Sequence, residues 1–170
     1  FLDSNNRVSG LAHDYVTLIE KKLGIQFRKK QFASLESILL SARAGEVQIV
    51  NAVTATPNRS VFLDFTRPYI SIPNVIIVRK DHKTYINSKS LAGRKVSMVR
   101  GYAVTEYVEQ NRLNVIPDLV DNDFAALANV SFGYSDAAII DLATAIYLIS
   151  SHSFSNLMFA DELPFSVQLA

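Results

Sequence analysis

Apolar residues recur at helical spacing at Leu11, Tyr15, Leu18, Ile19 and Leu23, after Ser9-Gly10 and before Gly24. A helix with a glycine stop is predicted there. Residues 25–27 predict a short strand, and Ser34 is placed to cap a second helix carrying Leu35, Ile38, Leu39 and Ala42, ended by Gly45. Residues 47–53 are β-branched enough to predict another strand. Thr56-Pro57 predicts a strand end running into a capped turn, with Pro57 at the first helical position, and residues 74–79 read as a plain buried strand. A polar cluster over residues 80–90 predicts a crossover or linker. The pattern then restarts: strand 95–99, a turn at Gly101, helix 104–109, strand 114–116, helix 124–130, strand 137–140, helix 142–149, strand 157–159 and an extended end at 165–169. Alternating strands and helices predict an α/β fold. The restart after Ser90 predicts two lobes.

Composition narrows the function classes. Of 170 residues 49% are hydrophobic and 19% charged, which is a globular composition rather than a disordered one. There is no cysteine, so a disulfide scaffold is excluded. The net charge is +1 and no basic run is longer than Arg28-Lys29-Lys30, which leaves no footprint for a phosphate backbone. Nucleic acid is not an expected partner. The longest mostly apolar stretch, residues 137–149, is too short to span a bilayer and is interrupted by Asp141. The opening Phe1-Leu2-Asp3-Ser4-Asn5-Asn6 has neither the basic start nor the apolar core of a signal peptide, so the chain is expected to be a piece of something longer. Charge is unevenly placed, with 12 basic and 7 acidic residues in positions 1–85 against 5 and 9 in positions 86–170.

Catalytic and cofactor templates fail in turn. The six glycines at 10, 24, 45, 93, 101 and 133 never assemble a dinucleotide or phosphate loop. Gly133-Tyr134-Ser135-Asp136-Ala137 lacks the last glycine of a nucleophile elbow. His13, His82 and His152 are scattered, so no metal or other cofactor is expected. Asp121-Asn122-Asp123 has Ala126 where a calcium loop needs glycine, and Asp at a first helical turn reads as a cap. Polar groups at the carboxyl ends of strands remain, where α/β folds bind ligands: Asn51, Thr54, Thr56 and Arg59; the Arg100-Gly101-Tyr102-Ala103 entrance to a helix; and Asp141. Taken singly, Arg59 reads better as a surface salt bridge with Asp64 or a neighbour, and Asp141 as a helix N-cap. Taken together, an arginine fork and a carboxylate on opposite halves would bracket a zwitterion.

The chain resembles the extracellular solute-binding proteins of family 3, amino-acid-binding proteins whose two lobes close like a flytrap. The resemblance rests on Lys21-Lys22-Leu23-Gly24, Ala44-Gly45-Glu46-Val47, Thr56-Pro57-Asn58-Arg59, Leu63-Asp64-Phe65-Thr66-Arg67-Pro68-Tyr69, Ser90-Leu91-Ala92-Gly93-Arg94-Lys95-Val96, Val99-Arg100-Gly101 and Tyr134-Ser135-Asp136-Ala137-Ala138-Ile139-Ile140-Asp141. It implies the two-lobed periplasmic-binding-protein type II (Venus flytrap) α/β fold, truncated at both ends. Lobe 1 is expected over residues 1–80 plus 163–170 and lobe 2 over 81–162, with crossings near 79–82 and 160–164. It implies that Arg59 pairs with a ligand carboxylate and Asp141 takes its amino group, with Asn51, Ala52 and Thr54 contributing polar contacts. Where the resemblance implies a Gly-Thr-Thr-like turn in the second lobe this chain has Gly101-Tyr102-Ala103, so Tyr102 either stacks on a ligand ring, fills the cleft or packs beside Tyr107, while Phe32 and Leu35 are either cleft walls or helix core. The Phe65-Thr66-Arg67-Pro68-Tyr69-Ile70-Ser71-Ile72-Pro73 run is most similar to flytrap modules fused to membrane signalling proteins such as histidine kinases. A periplasmic ligand-binding domain that is not itself an enzyme is therefore expected. The rivals are a transport component, a dehydratase or transglycosylase-associated module on the same fold, and a LysR-type effector domain.

Overall fold

The computed structural model describes residues 10–81 and 86–170. Residues 1–9, which open the expected lobe 1, and residues 82–85, with His82 in the expected linker, lie outside the described residues. Two helices come first. α1 (Leu11–Leu23) ends on Gly24, whose backbone is left-handed at φ 67° and whose N–H returns to Glu20 O; glycine alone takes that conformation without strain. α2 (Leu35–Arg43) begins on Ser34, whose side chain accepts from Ser37 N while the Ser37 side chain accepts from Ser34 N, a reciprocal cap of two otherwise unpaired donors.

The two strands expected between and after these helices do not form. Over residues 25–27 and 47–53 there is no ladder. Phe27 N donates to Glu20 Oε1 at 2.8 Å, and Val53 exchanges backbone bonds with Ala170, next to an isolated bridge between Thr54 and Leu169. β-Branched content favours extended backbone, but a strand also needs a neighbour, and among the described residues only Val53 and Thr54 meet one.

The sheet is built from the rest of the chain: β1 (Ile70–Arg79), β2 (Lys95–Val99), β3 (Ile116–Val120), β4 (Ala137–Asp141) and β5 (Leu157–Leu169), in spatial order β3-β2-β4-β1-β5. β2 runs parallel to β3 and β4, and β1 runs antiparallel to β4 and β5. The third strand was expected at 114–116 and begins at Ile116 instead, because Asn114 adopts a left-handed turn at φ 51°. Pro117 fits because β3 is an edge strand. The two extended pieces expected near the end are one strand, β5, joined to β1 from Ile70↔Leu169 to Arg79↔Leu157 with register shifts at Pro73/Val75 and Ile76/Ile77. Pro73 lies just beyond the reach of β4, which pairs from Asn74 onward.

Alternation along β1 divides the core. Ile76 and Val78 join Val96, Met98, Val104 and Val108 on the face covered by α3 (Ala103–Gln110). Val75 and Ile77 join Ala126, Leu127, Val130 and Ala145 on the face covered by α4 (Asp123–Ser131) and α5 (Leu142–Ser151). Burial of both faces explains the unbroken apolar runs of β1 and β4. The carboxyl ends of β2 and β4 therefore deliver Gly101 and Asp141 to the edge of the sheet where α3 and α5 begin.

Candidate functional site

Arg59 lies in consecutive turns over residues 57–62, entered through Thr56-Pro57 as expected: Ser60 N returns to Thr56 O and Leu63 N to Arg59 O, each at 2.9 Å. Its side chain is directed inward, and the residue is 3% exposed. Nη1 donates to Thr54 O at 2.7 Å and Nη2 donates to Gly101 O at 2.7 Å. Nε has no hydrogen-bond partner and stands 3.9 Å from Glu106 Oε1. Burial lowers the Arg59 pKa and the Glu106 charge opposes that effect. In place of a surface salt bridge with Asp64 or a neighbour, the buried Arg59 has an ion pair with Glu106. The reason is spatial: the guanidinium crosses to the entrance of α3 rather than returning to its own segment.

Glu106 has the stronger polar contacts. Its Oε1 accepts from Thr56 Oγ1 at 3.2 Å and its Oε2 from Asn58 Nδ2 at 3.1 Å. Three residues of the Thr56-Pro57-Asn58-Arg59 motif therefore converge on one carboxylate of α3. Glu106 was absent from the residues singled out in the sequence. The available signal was an acid four positions after Tyr102, in the first turn of a helix, and acids are common there for the helix dipole alone.

On the other side of Gly101, Tyr102 is the N-cap residue of α3 but its side chain does not cap the helix. Its hydroxyl donates to Asp123 Oδ2 at 3.1 Å. None of the sequence expectations for Tyr102 describes this contact. Tyr102 and Tyr107 both pack against the core cluster under α3, and the Tyr107 ring stacks on Phe165 with centroids 4.7 Å apart. Asp123 was expected as a cap, but Asn122 caps α4 by accepting from Ala125 N at 2.9 Å. Asp123 is consequently available to Tyr102, and its Oδ1 is buried without a hydrogen-bond partner. Burial, then the charge of Asp141, pushes the Asp123 carboxyl up to about 6. Burial, then the charge of Asp123, raises the Tyr102 pKa, and Asp141 adds to that rise.

Asp141 ends β4 and caps α5, accepting from Thr144 N at 2.9 Å. The capping role is real, and the electrostatic influence of Asp141 on Tyr102 and Asp123 sets it in the same acidic neighbourhood. Of the residues expected to bind ligand, the structure gathers Thr54, Arg59 and Gly101 into one hydrogen-bonded group and Tyr102 and Asp141 into an adjoining one. Asn51 is apart from both: its Nδ2 donates to Ala12 O at 2.8 Å and its Oδ1 accepts from Tyr69 Oη, which ties α1 to the start of β1. Among the described residues no group of three or more His, Asp or Glu side chains converges as a metal site requires.

The sequence profile of the bacterial extracellular solute-binding proteins, family 3, matches residues 1–131. The chain belongs to that family. Among curated relatives of this family 3 chain, the virulence sensor protein BvgS of Bordetella pertussis is 25% identical over 160 residues, covering 94% of the chain and 13% of BvgS. The L-cystine-binding protein TcyJ of Escherichia coli is 24% identical over 151 residues, covering 88% of the chain and 56% of TcyJ. The chain therefore spans only a small part of the first and just over half of the second. A crystal structure of a histidine kinase sensor domain with similarity to periplasmic binding proteins superposes with a TM-score of 0.92 at 20% identity, over 100% of the chain and 74% of that domain. The fold is the periplasmic-binding-protein type II fold. Among the described residues no helix is long and apolar enough to cross a membrane.

Proposed function

We propose that this family 3 chain is the periplasmic sensor module of a membrane-tethered signalling protein and binds an α-amino acid or a related small carboxylate between two lobes. Lobe 1 comprises residues 1–80 with 163–170 and lobe 2 residues 81–162, crossing near 79–82 and 160–164. Arg59 receives the ligand carboxylate and Asp141 the amino group, with Thr54, Gly101 and Tyr102 shaping the space between them. Asn51, engaged by Ala12 and Tyr69, stands outside this set. The observation that carries the reading is the buried Arg59 reaching Gly101 at the entrance of α3. An arginine has five donors, and the two carbonyl contacts leave the orphaned Nε and further N–H groups for an anion. Ligand that touches both lobes favours the closed form by its differential affinity, and the change of lobe geometry is the signal.

The sensor relatives support signalling over transport, since BvgS aligns over nearly the whole chain. TcyJ, an L-cystine-binding protein, supports an amino-acid ligand. The chain binds rather than catalyses. A thermal-shift screen of the protein against amino acids and small carboxylates tests this, because a specific ligand raises apparent stability by mass action. One compound or a small related group should raise the melting temperature, and Asp141→Asn should abolish that rise while leaving the unliganded melting temperature within about 2 °C, as asparagine caps a helix as well as aspartate does. No stabilising compound in the set, or undiminished stabilisation of the variant, refutes the assignment.

A further inference from the structure

Glu106 of α3 reaches the Thr56-Pro57-Asn58-Arg59 motif. Both of its oxygens are engaged, one by Thr56 and one by Asn58, and the otherwise unpartnered Nε of Arg59 lies 3.9 Å from the first. The guanidinium of a residue that is 3% exposed is costly to bury without a counter-charge. Glu106 is the carboxylate found within ion-pair distance of it among the described residues. These partners are 48 and 50 residues away in sequence at Asn58 and Thr56, and Arg59 reaches Gly101 over 42 residues. Each contact thus joins residues 56–59, which precede β1 in the chain, to the α3 region, which follows it.

We propose that Glu106 is an intramolecular stand-in for a solute carboxylate: it latches the Arg59 turn to α3 in the absence of ligand, and a solute carboxylate reaches Arg59 only by displacing it. The inference rests on the two-lobe reading above, but not on the identity of any ligand or on there being one. It assigns α3 an active part in lobe closure, and it makes the anion preference of the cleft depend on competition with a tethered group rather than on an empty arginine.

The absence of cysteine allows a clean distance measurement. Lys21 on α1 and Gln110 on α3, both exposed, are replaced by cysteine and spin-labelled in the 170-residue protein. Their separation is then read by pulsed electron resonance with no solute added. The parent should show one short distance. Glu106→Ala should add a longer one, raising its population at least about tenfold, the factor expected for loss of a charge-assisted contact. Glu106→Gln, which keeps an acceptor and removes the charge, should fall between and serves as the folding control. In the Glu106→Ala background, Asn58→Ala should have no further effect, since its partner is already gone. An unchanged distribution in both Glu106 variants, or an Asn58→Ala effect equal in the two backgrounds, overturns the latch. A ligand screen without hits leaves these distances unaffected, so failure of the binding assignment and failure of the latch are separate results.

Discussion

Replacing Asp123 by asparagine removes a charge that its surroundings disfavour while preserving an acceptor for Tyr102. The folded site pushes the carboxyl from 3.8 up to about 6, by burial first and by Asp141 second. Between those values the folded protein retains a proton that the unfolded chain has released, so this group makes stability fall as pH rises from about 4 to about 6. Below that window both states are protonated and the penalty is absent. Above it both are ionised and the penalty is complete. At about 1.4 kcal/mol per pKa unit, it reaches on the order of 3 kcal/mol at pH 7. Asp123→Asn should lack this component. Urea unfolding of both proteins at pH 4, 5, 6 and 7, followed by circular dichroism, measures the difference. Asp118, whose pKa is lowered by its hydrogen bonds to Ser135 and Asn129 despite partial burial, contributes with the opposite sign in both proteins and cancels. The stability of the variant relative to the parent should rise by up to about 3 kcal/mol from pH 4 to pH 7. Parallel pH profiles would refute the buried-carboxyl argument, whatever constant offset the new amide introduces.

Two further substitutions examine the scaffold around the site. Asp141→Ala removes the acceptor for Thr144 N and should lower unfolding free energy by about 1 kcal/mol, whereas Asp141→Asn should change it by less than about 0.5 kcal/mol; equal losses in urea titrations would show that charge rather than capping stabilises α5. Leu127→Ala, at a fully buried position in the core between α4 and the sheet, should cost about 2–5 kcal/mol, and a loss under 1 kcal/mol in the same assay would show that this core is loosely packed.

Sequence and structure agree most closely where the causes are local. Gly24 ends α1 and Ser34 starts α2 because each acts within one turn of chain, and the restart of alternation after Ser90 follows from the apolar runs of β2 and β4. Asp141 was visible as both a cap and a ligand candidate because either role needs a carboxylate directly after an apolar strand. The segments at 25–27 and 47–53 misled because extended propensity is a property of residues, whereas a ladder is a property of neighbours. Asn122 rather than Asp123 caps α4, a choice between adjacent, equally suited residues that sequence alone does not settle. Glu106 was illegible for a different reason: its meaning comes from Thr56 and Asn58, and their proximity is a product of the completed fold.

The pairing order of the sheet bears on how the chain is made. β1 is synthesised before either of its partners, β4 and β5, so its Val75, Ile76, Ile77 and Val78 leave the ribosome with both edges open. β2, β3 and β4 can assemble among themselves through the crossovers that carry α3 and α4, but β1 acquires its second neighbour only when residues 157–169 have emerged. Until then a strand destined for the interior of the sheet is the segment most able to pair with the wrong chain.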